Sequence, residues 1–231
     1  MSFKDTLNDL KKNNLFRQTF DISDRNGAVI SIDGRQYIDF SSNDYLGFAT
    51  HPKLKQASIQ AIEKYGTGST ASRLLSGNYD LHTKLETDIA KLKQREACLV
   101  FNSGYQANVG LISALLEKDD VIFADKLVHA SIIDGIKLSG VRFFRFKHND
   151  MKHLEELLNK NRKNFRRALV ITESVFSMDG DLALMDQIIS LKKNFDFEIM
   201  TDEAHAVGIK TPKEVDYILG TFSKTFGSFG A

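Results

Sequence analysis

Two rhythms of apolar residues alternate along this chain. In the first, apolar positions return at close to helical spacing, as at Leu54, Ala57, Ile59, Ala61 and Ile62. In the second, short runs are apolar almost throughout, as at Val121, Ile122, Phe123 and Ala124, the pattern of strands covered on both faces. The first 80 residues read as a polar helix over 3–14, a hairpin over 28–37 turning at Asp33-Gly34, and a helix over 52–65. A Gly-, Ser- and Thr-rich loop comes next at 66–72, too short for an interdomain linker. From 81 onward the pattern predicts helices over 81–92, 105–116, 131–139, 151–159 and 185–194. Between them it predicts strands over 97–101, 121–124, 142–146, 168–172, 198–201 and 217–220. Strands alternating with helices give the fold class α/β: a mostly parallel sheet with helices on both faces. There is no internal repeat and no low-complexity tract.

In an open parallel sheet, ligands collect at the carboxyl ends of the strands. The residues just beyond each strand are therefore the place to look for chemistry. In chain order they are Asn102-Ser103-Gly104-Tyr105, then 125–129 with His129, then 173–177, then Asp202-Glu203-Ala204-His205, and last Thr221-Phe222-Ser223-Lys224. A lysine amine is nucleophilic only when unprotonated, against a free pKa of about 10.4; burial lowers that value and favours Schiff-base chemistry. By residue type alone, a surface lysine in a turn is the commoner case. Asp202 changes the odds, because a carboxylate at a strand end can keep a pyridine nitrogen protonated and the ring an electron sink; it serves equally as a helix N-cap. His205, three residues on, can enter the same pocket. Asp202, Glu203 and His205 as part of a metal site lack a further ligand at suitable spacing. Ser103-Gly104-Tyr105-Gln106 opens a helix after a strand, where free N–H groups favour a phosphate, and Thr221 adds a hydroxyl. His129 is either a ring-stacking residue or a satisfied core histidine.

Asp202-Glu203-Ala204-His205 also spells a helicase signature. That chemistry needs G-x-x-x-x-G-K-[ST] upstream, and the nearest candidate, at 220–225, is too short, lacks the second glycine and lies downstream.

Composition narrows the setting more than the chemistry. The 231 residues suit one large domain, or a domain with part of a second, and 42% are hydrophobic, enough for a substantial core. Lys and Arg total 31 against 30 Asp and Glu, so nothing electrostatic calls for nucleic acid or a membrane surface. Cys98 is the only cysteine, which excludes an intrachain disulfide and suits a reducing compartment. The polar start and the absence of an apolar run near the roughly 20 residues of a membrane helix lead to a soluble, cytoplasmic expectation.

Taken together, the segments resemble the α-oxoamine synthases, pyridoxal 5′-phosphate enzymes of fold type I (aspartate aminotransferase-like). The matching words are Ser42-Asn43-Asp44-Tyr45-Leu46-Gly47, Ser72-Arg73-Leu74-Leu75-Ser76-Gly77, His129-Ala130-Ser131, Phe176-Ser177-Met178-Asp179-Gly180, Asp202-Glu203-Ala204-His205 and Gly220-Thr221-Phe222-Ser223-Lys224. Their order and spacing carry the likeness, which runs from about 17 to 231. It implies a catalytic set of Lys224, Asp202 and His129: Lys224 holds the cofactor covalently and removes a substrate proton, Asp202 faces the pyridine nitrogen, and His129 stacks on the ring and borders the substrate. It adds His205 and Ser177 as cofactor contacts, and Gly104, Tyr105 and Thr221 around the phosphate. Arg17 and Asn43 join His129 as substrate contacts, and no metal is implied.

The first two words and Lys147-His148-Asn149-Asp150 resemble most the branch that serves biotin synthesis. That branch condenses L-alanine with a pimeloyl thioester, on CoA or an acyl carrier protein, with loss of CO2. Another branch of the family, or a non-catalytic relative binding cofactor or a partner, is the alternative. The resemblance further implies residues 1–45 as an N-terminal segment of a small domain, 46–231 as a large cofactor-binding domain, and a homodimer in which 66–73 border the partner's pocket. Against the family's pattern the chain looks short between Gly208 and Val215 and stops soon after the lysine. The expectation is that relatives carry a further segment completing sheet and small domain, without which this polypeptide is not a competent enzyme.

Overall fold

The computed structural model describes residues 2–208 and 211–231. Ile209 and Lys210, in the loop the sequence marks as short, lie outside the described residues. The chain divides into two compact units, residues 1–42 and 43–231.

The first unit holds helix α1 (Phe3–Lys12) and strands β1 (Ile22–Asn26), β2 (Val29–Ile32) and β3 (Arg35–Ile38) in one antiparallel sheet. Ser2 caps α1 by accepting from the Asp5 N–H, and Asp5 answers at the Ser2 N–H. The β2–β3 turn is the one expected at Asp33-Gly34. Both residues have positive φ, +50° and +74°, which matches the twist of the flanking strands. Strand β1 was not foreseen: Ile22, Ser23, Asp24, Arg25 and Asn26 are mostly polar and exposed, and only pairing with β2 makes them a strand.

The second unit holds α2 (Pro52–Tyr65), α3 (Asp80–Lys93), α4 (Gly104–Leu115), α5 (Ala130–Ser139), α6 (Met151–Asn161) and α7 (Met185–Leu191) around five parallel strands. These are β4 (Val121–Asp125), β5 (Arg142–Phe146), β6 (Ala168–Glu173), β7 (Glu198–Asp202) and β8 (Tyr217–Leu219), ordered β5-β4-β6-β7-β8. Side chains alternate between two cores, as a period of two demands. Ile122, Ala124, Leu169, Ile171 and Met200 pack with Ile112 of α4 and with Ile132 and Ile136 of α5. Val121, Phe123, Val170 and Ile199 pack with Leu154 and Leu158 of α6 and with Ile188 of α7. Strands covered on both faces explain why β4 and β6 are wholly buried.

One predicted strand is absent. Residues 97–101 form no ladder among the described residues. The Val100 N–H goes to Glu86 Oε1 at 2.9 Å, and only Phe101 pairs with backbone, exchanging two hydrogen bonds with Ala231. An apolar run becomes a strand only where a partner edge takes its hydrogen bonds in succession. No helix among the described residues is long and apolar enough to cross a membrane.

Candidate active site

Strand register places the ends that matter side by side. Glu173 is the partner of Asp202 across β6 and β7, and Asp202 that of Leu219 across β7 and β8. Beyond Leu219 the chain turns through Thr221 to Lys224, held by hydrogen bonds from the Phe222 N–H to Gly230 O and from the Gly227 N–H to Lys224 O.

Lys224 Nζ lies 2.8 Å from His205 Nε2. Half-burial pushes the Lys224 amine below its ordinary range, although Asp202 and Glu173 favour the ammonium. His205 is likewise lowered, first by burial and then by the neighbouring Lys224 charge. Its other nitrogen, Nδ1, is 2.6 Å from the Tyr45 hydroxyl, which in turn bonds Asn43 Oδ1 at 3.0 Å. The chain of partners fixes the tautomer. Tyr45 donates to Asn43, so it accepts from His205 Nδ1–H, which leaves Nε2 as an acceptor facing Lys224.

Asp202 is buried at the end of β7 with both oxygens engaged. Oδ1 accepts from the Ala204 N–H at 2.9 Å, and Oδ2 accepts from Asn108 Nδ2 at 2.9 Å. The carboxylate thus caps the turn after β7 and also joins a side-chain network. Asn108 Nδ2 reaches Ser131 Oγ at 2.9 Å, and Ser131 Oγ reaches His129 Nδ1 at 2.7 Å. The network exists because α4 and α5 approach closely at Gly135, where a Cβ would stand 3.1 Å from Asn108 O and Val109 Cα. His129 caps α5, accepting from the Ser131 N–H.

Glu173 completes the group. It is 4% exposed, its Oε1 has no partner among the described residues, and burial followed by repulsion from Asp202 pushes its carboxyl up to about 7. Backbone bonds from His129 and Ser177 and the Lys224 charge work in the other direction.

At the start of α4, Ser103 Oγ accepts from the Gln106 N–H. Gly104 has no room for a side chain, since a Cβ would stand 2.7 Å from the Thr221 methyl group. Thr221 itself is buried and its Oγ1 has no partner among the described residues.

The structure therefore brings Lys224, His205, Asp202 and His129 to one sheet edge, with Gly104 against Thr221. Tyr105 is exposed and its hydroxyl bonds Asp134 at 3.0 Å. Ser177 sits in an exposed turn, Asn43 serves Tyr45, and Arg17 is an exposed residue of the first unit. Among the described residues no group of His, Cys, Asp and Glu is placed to hold a metal. Glu203 faces away from Asp202's partners, pairing with Lys93 and Thr211. Sequence reasoning missed Glu173, Asn108 and Tyr45. An acidic residue closing an otherwise apolar strand was a usable signal for Glu173; Asn108, mid-helix and 94 residues from its carboxylate partner, had none. An apolar groove of about 680 Å³ along β8 and residues 97–101 includes Thr221 but none of Lys224, His205 or Asp202.

The family profile described as aminotransferase class I and II matches residues 35–231. Among curated proteins, the chain is 44% identical over 237 residues to the 8-amino-7-oxononanoate synthase of Geobacter sulfurreducens, covering 97% of this chain and 60% of that one. The chain spans about 60% of the length of the curated relatives it matches. Among solved structures, the serine palmitoyltransferase of Sphingomonas wittichii superposes with a TM-score of 0.89 at 32% identity, covering 98% of this chain and 60% of that one. The 8-amino-7-oxononanoate synthase of Francisella tularensis does so at 0.69 and 32%, covering 84% and 56%.

Proposed function

Because the chain belongs to the aminotransferase class I and II family, we propose that it carries the cofactor-binding core of an 8-amino-7-oxononanoate synthase. This is a pyridoxal 5′-phosphate-dependent C-acyltransferase of biotin synthesis. It joins L-alanine to a pimeloyl thioester, on CoA or an acyl carrier protein, releasing CO2 and the thiol. The observation that carries the chemistry is the half-buried Lys224 amine 2.8 Å from an acceptor nitrogen of His205, on the edge that presents Asp202. The choice of substrates rests on the 44% identity to curated synthases. Serine palmitoyltransferases share the backbone shape at lower identity.

The residues fit the cofactor. The unpartnered, buried Thr221 hydroxyl and the first N–H groups of α4, which have no partners within the helix, suit a phosphate. Gly104 lets that helix start lie against Thr221. When bound, the cofactor supplies an electron sink for the carbon next to the substrate nitrogen.

The chain's own groups do the rest. Lys224 holds the cofactor and, with its amine lowered by burial, takes the Cα proton of alanine at Nζ. His205 keeps a lone pair at Nε2 toward that amine. Asp202, oriented by Asn108, would hold a negative charge toward the pyridine nitrogen. His129 would stack on the ring, Ser177 would contact it, and Tyr105 would stand with Gly104 at the phosphate. Arg17 offers a bidentate match to a substrate carboxylate, with Asn43 beside the reacting groups through Tyr45. The protein works in the cytoplasm as a homodimer.

Two measurements, made on the chain together with the further segment its relatives carry, test this. Protein loaded with pyridoxal 5′-phosphate and reduced with borohydride should carry the label on the peptide containing Lys224, and Lys224→Ala should lose it. Alanine with pimeloyl-CoA should release CO2 and thiol in equal amounts. A label on another lysine defeats the site; release with serine and palmitoyl-CoA in place of that pair defeats the substrates.

A further inference from the structure

A second cluster of titratable side chains, at the carboxyl ends of β4 and β5, takes no part in the chemistry above. His148 has both ring nitrogens engaged there: Nδ1 lies 3.0 Å from Asp125 Oδ1, and Nε2 lies 2.8 Å from Asp181 Oδ2. Carboxylate oxygens only accept, so a ring held between two of them donates from both nitrogens and is the imidazolium. Asp125 is fully buried and also accepts from the N–H groups of Leu127 and Asn149. Asn149 donates from Nδ2 to Asp181 Oδ2 at 2.9 Å and to Leu182 O at 3.0 Å, and accepts from the Leu184 N–H at 3.3 Å. Phe176, 1% exposed, meets the His148 ring edge-on with centroids 4.4 Å apart.

Of the bonds that do not involve Asp125, those to Asp181 and Leu182 end on one segment, and the Leu184 N–H lies two residues past it. Residues 175–182 close on themselves through the Val175–Leu182 bridge, the Phe176 N–H to Asp181 O, and the Gly180 N–H to Phe176 O. Ser177 is the residue after Phe176 in that turn, and the Ser177 backbone reaches Glu173. Two sequence words, His148-Asn149 and 176–180, are thus the two halves of one joint.

We infer that His148 is a positioning residue: it bolts the 175–182 turn to the end of β4, and Ser177 faces the cofactor only while that bolt is made. The inference rests on Ser177 as a cofactor contact. Burial of the ring opposes its charge, but the bonds to Asp125 and Asp181 prevail and hold its pKa above the ordinary histidine value. Those two carboxylates, one from β4 and one from the turn, are the charged groups that face it. A raised pKa means that the bolt is fully present below the ordinary histidine value and is lost as pH rises through the raised one.

The test is a double-mutant cycle on the dissociation constant of pyridoxal 5′-phosphate, followed by absorbance across the neutral and alkaline range. Hydrogen bonds between charged groups are strong enough that His148→Gln should weaken cofactor binding about tenfold at pH 7. Ser177→Ala should weaken it too, and the double variant should be no worse than the weaker single. The wild type should lose affinity on the alkaline side more steeply than His148→Gln, since groups such as Lys224 and the cofactor titrate in both. Should His148→Gln fail to fold, Asp181→Asn removes the more exposed carboxylate and completes the same cycle. Additive losses, or identical pH profiles, overturn the positioning role while leaving Ser177 as a contact. If Ser177→Ala binds cofactor normally, the contact itself falls, and with it the bolt.

Discussion

Glu173 and Asp202 are neighbours across two strands, and the low-dielectric sheet edge does not favour charge on both. The structure resolves this by raising Glu173, to about 7, while Asp202 receives two hydrogen bonds. Linkage sets the sign of the consequence. A carboxyl whose folded pKa exceeds its unfolded one stabilises the fold below the unfolded value and loses that contribution as pH rises through about 7. Cofactor-free protein should therefore lose up to about 3 kcal/mol between pH 4.5 and 7 from this group. Glu173→Gln should flatten that slope in urea titrations; an unchanged slope would show that another group sets it. Asp202 calls for a different measurement, because it caps a turn and, in the proposed function, also faces the cofactor. A cap alone predicts a loss of about 1 kcal/mol with chemistry kept. The electron-sink role predicts that Asp202→Asn folds but slows exchange of the alanine Cα proton by orders of magnitude, read as deuterium wash-in. Asp202, His205 and Lys224 were visible in the sequence because each comes soon after a strand. Asn108 and Tyr45 were not, since their importance comes from partners 94 and 160 residues away.

Helices α4 and α5 show how the packing of two elements fixes a site at their ends. Their closest approach is at Gly135, and across that contact Asn108 reaches Ser131. A methyl group at 135 would meet backbone atoms, which yield less readily than a side chain. Gly135→Ala should cost about 1–3 kcal/mol by denaturant unfolding. It should also lower Cα proton exchange, because Asn108 moves with α4; a stability loss with exchange intact would separate the packing from the Asp202 network. The sequence foresaw these helices within a residue or so, as apolar spacing and the helix start at Ser103-Gly104 allow. It misjudged 97–101 and overlooked β1 for one physical reason. Strand formation depends on who pairs with the segment, and neither apolarity nor polarity of the segment reveals its partner.

At the scale of the molecule, the segment 66–77 sets the clearest question. Its end is anchored: Arg73 makes a two-point contact with Glu86 at 2.6 and 2.9 Å and a third bond to Asn78, and the Leu75 and Gly77 N–H groups both bond Ser72 O. Yet Leu74 and Leu75, just past that anchor, are 95% and 84% exposed. Rigid presentation of two bare leucines costs the isolated chain their hydrophobic burial, about 1.5–3 kcal/mol each. A second copy of the chain, as the proposed homodimer supplies, would recover it. Two leucines are far less than the roughly 800 Å² per partner of a stable interface, so they act as anchors within a larger contact. Leu74→Glu combined with Leu75→Glu should leave the thermal midpoint of the protomer nearly unchanged, because neither side chain is packed in its own chain. The same pair should shift sedimentation from dimer to monomer and weaken activity with it, since residues 66–73 border the partner's pocket in the proposed assembly. A dimer that survives both charges would place the interface elsewhere and leave these leucines without a partner.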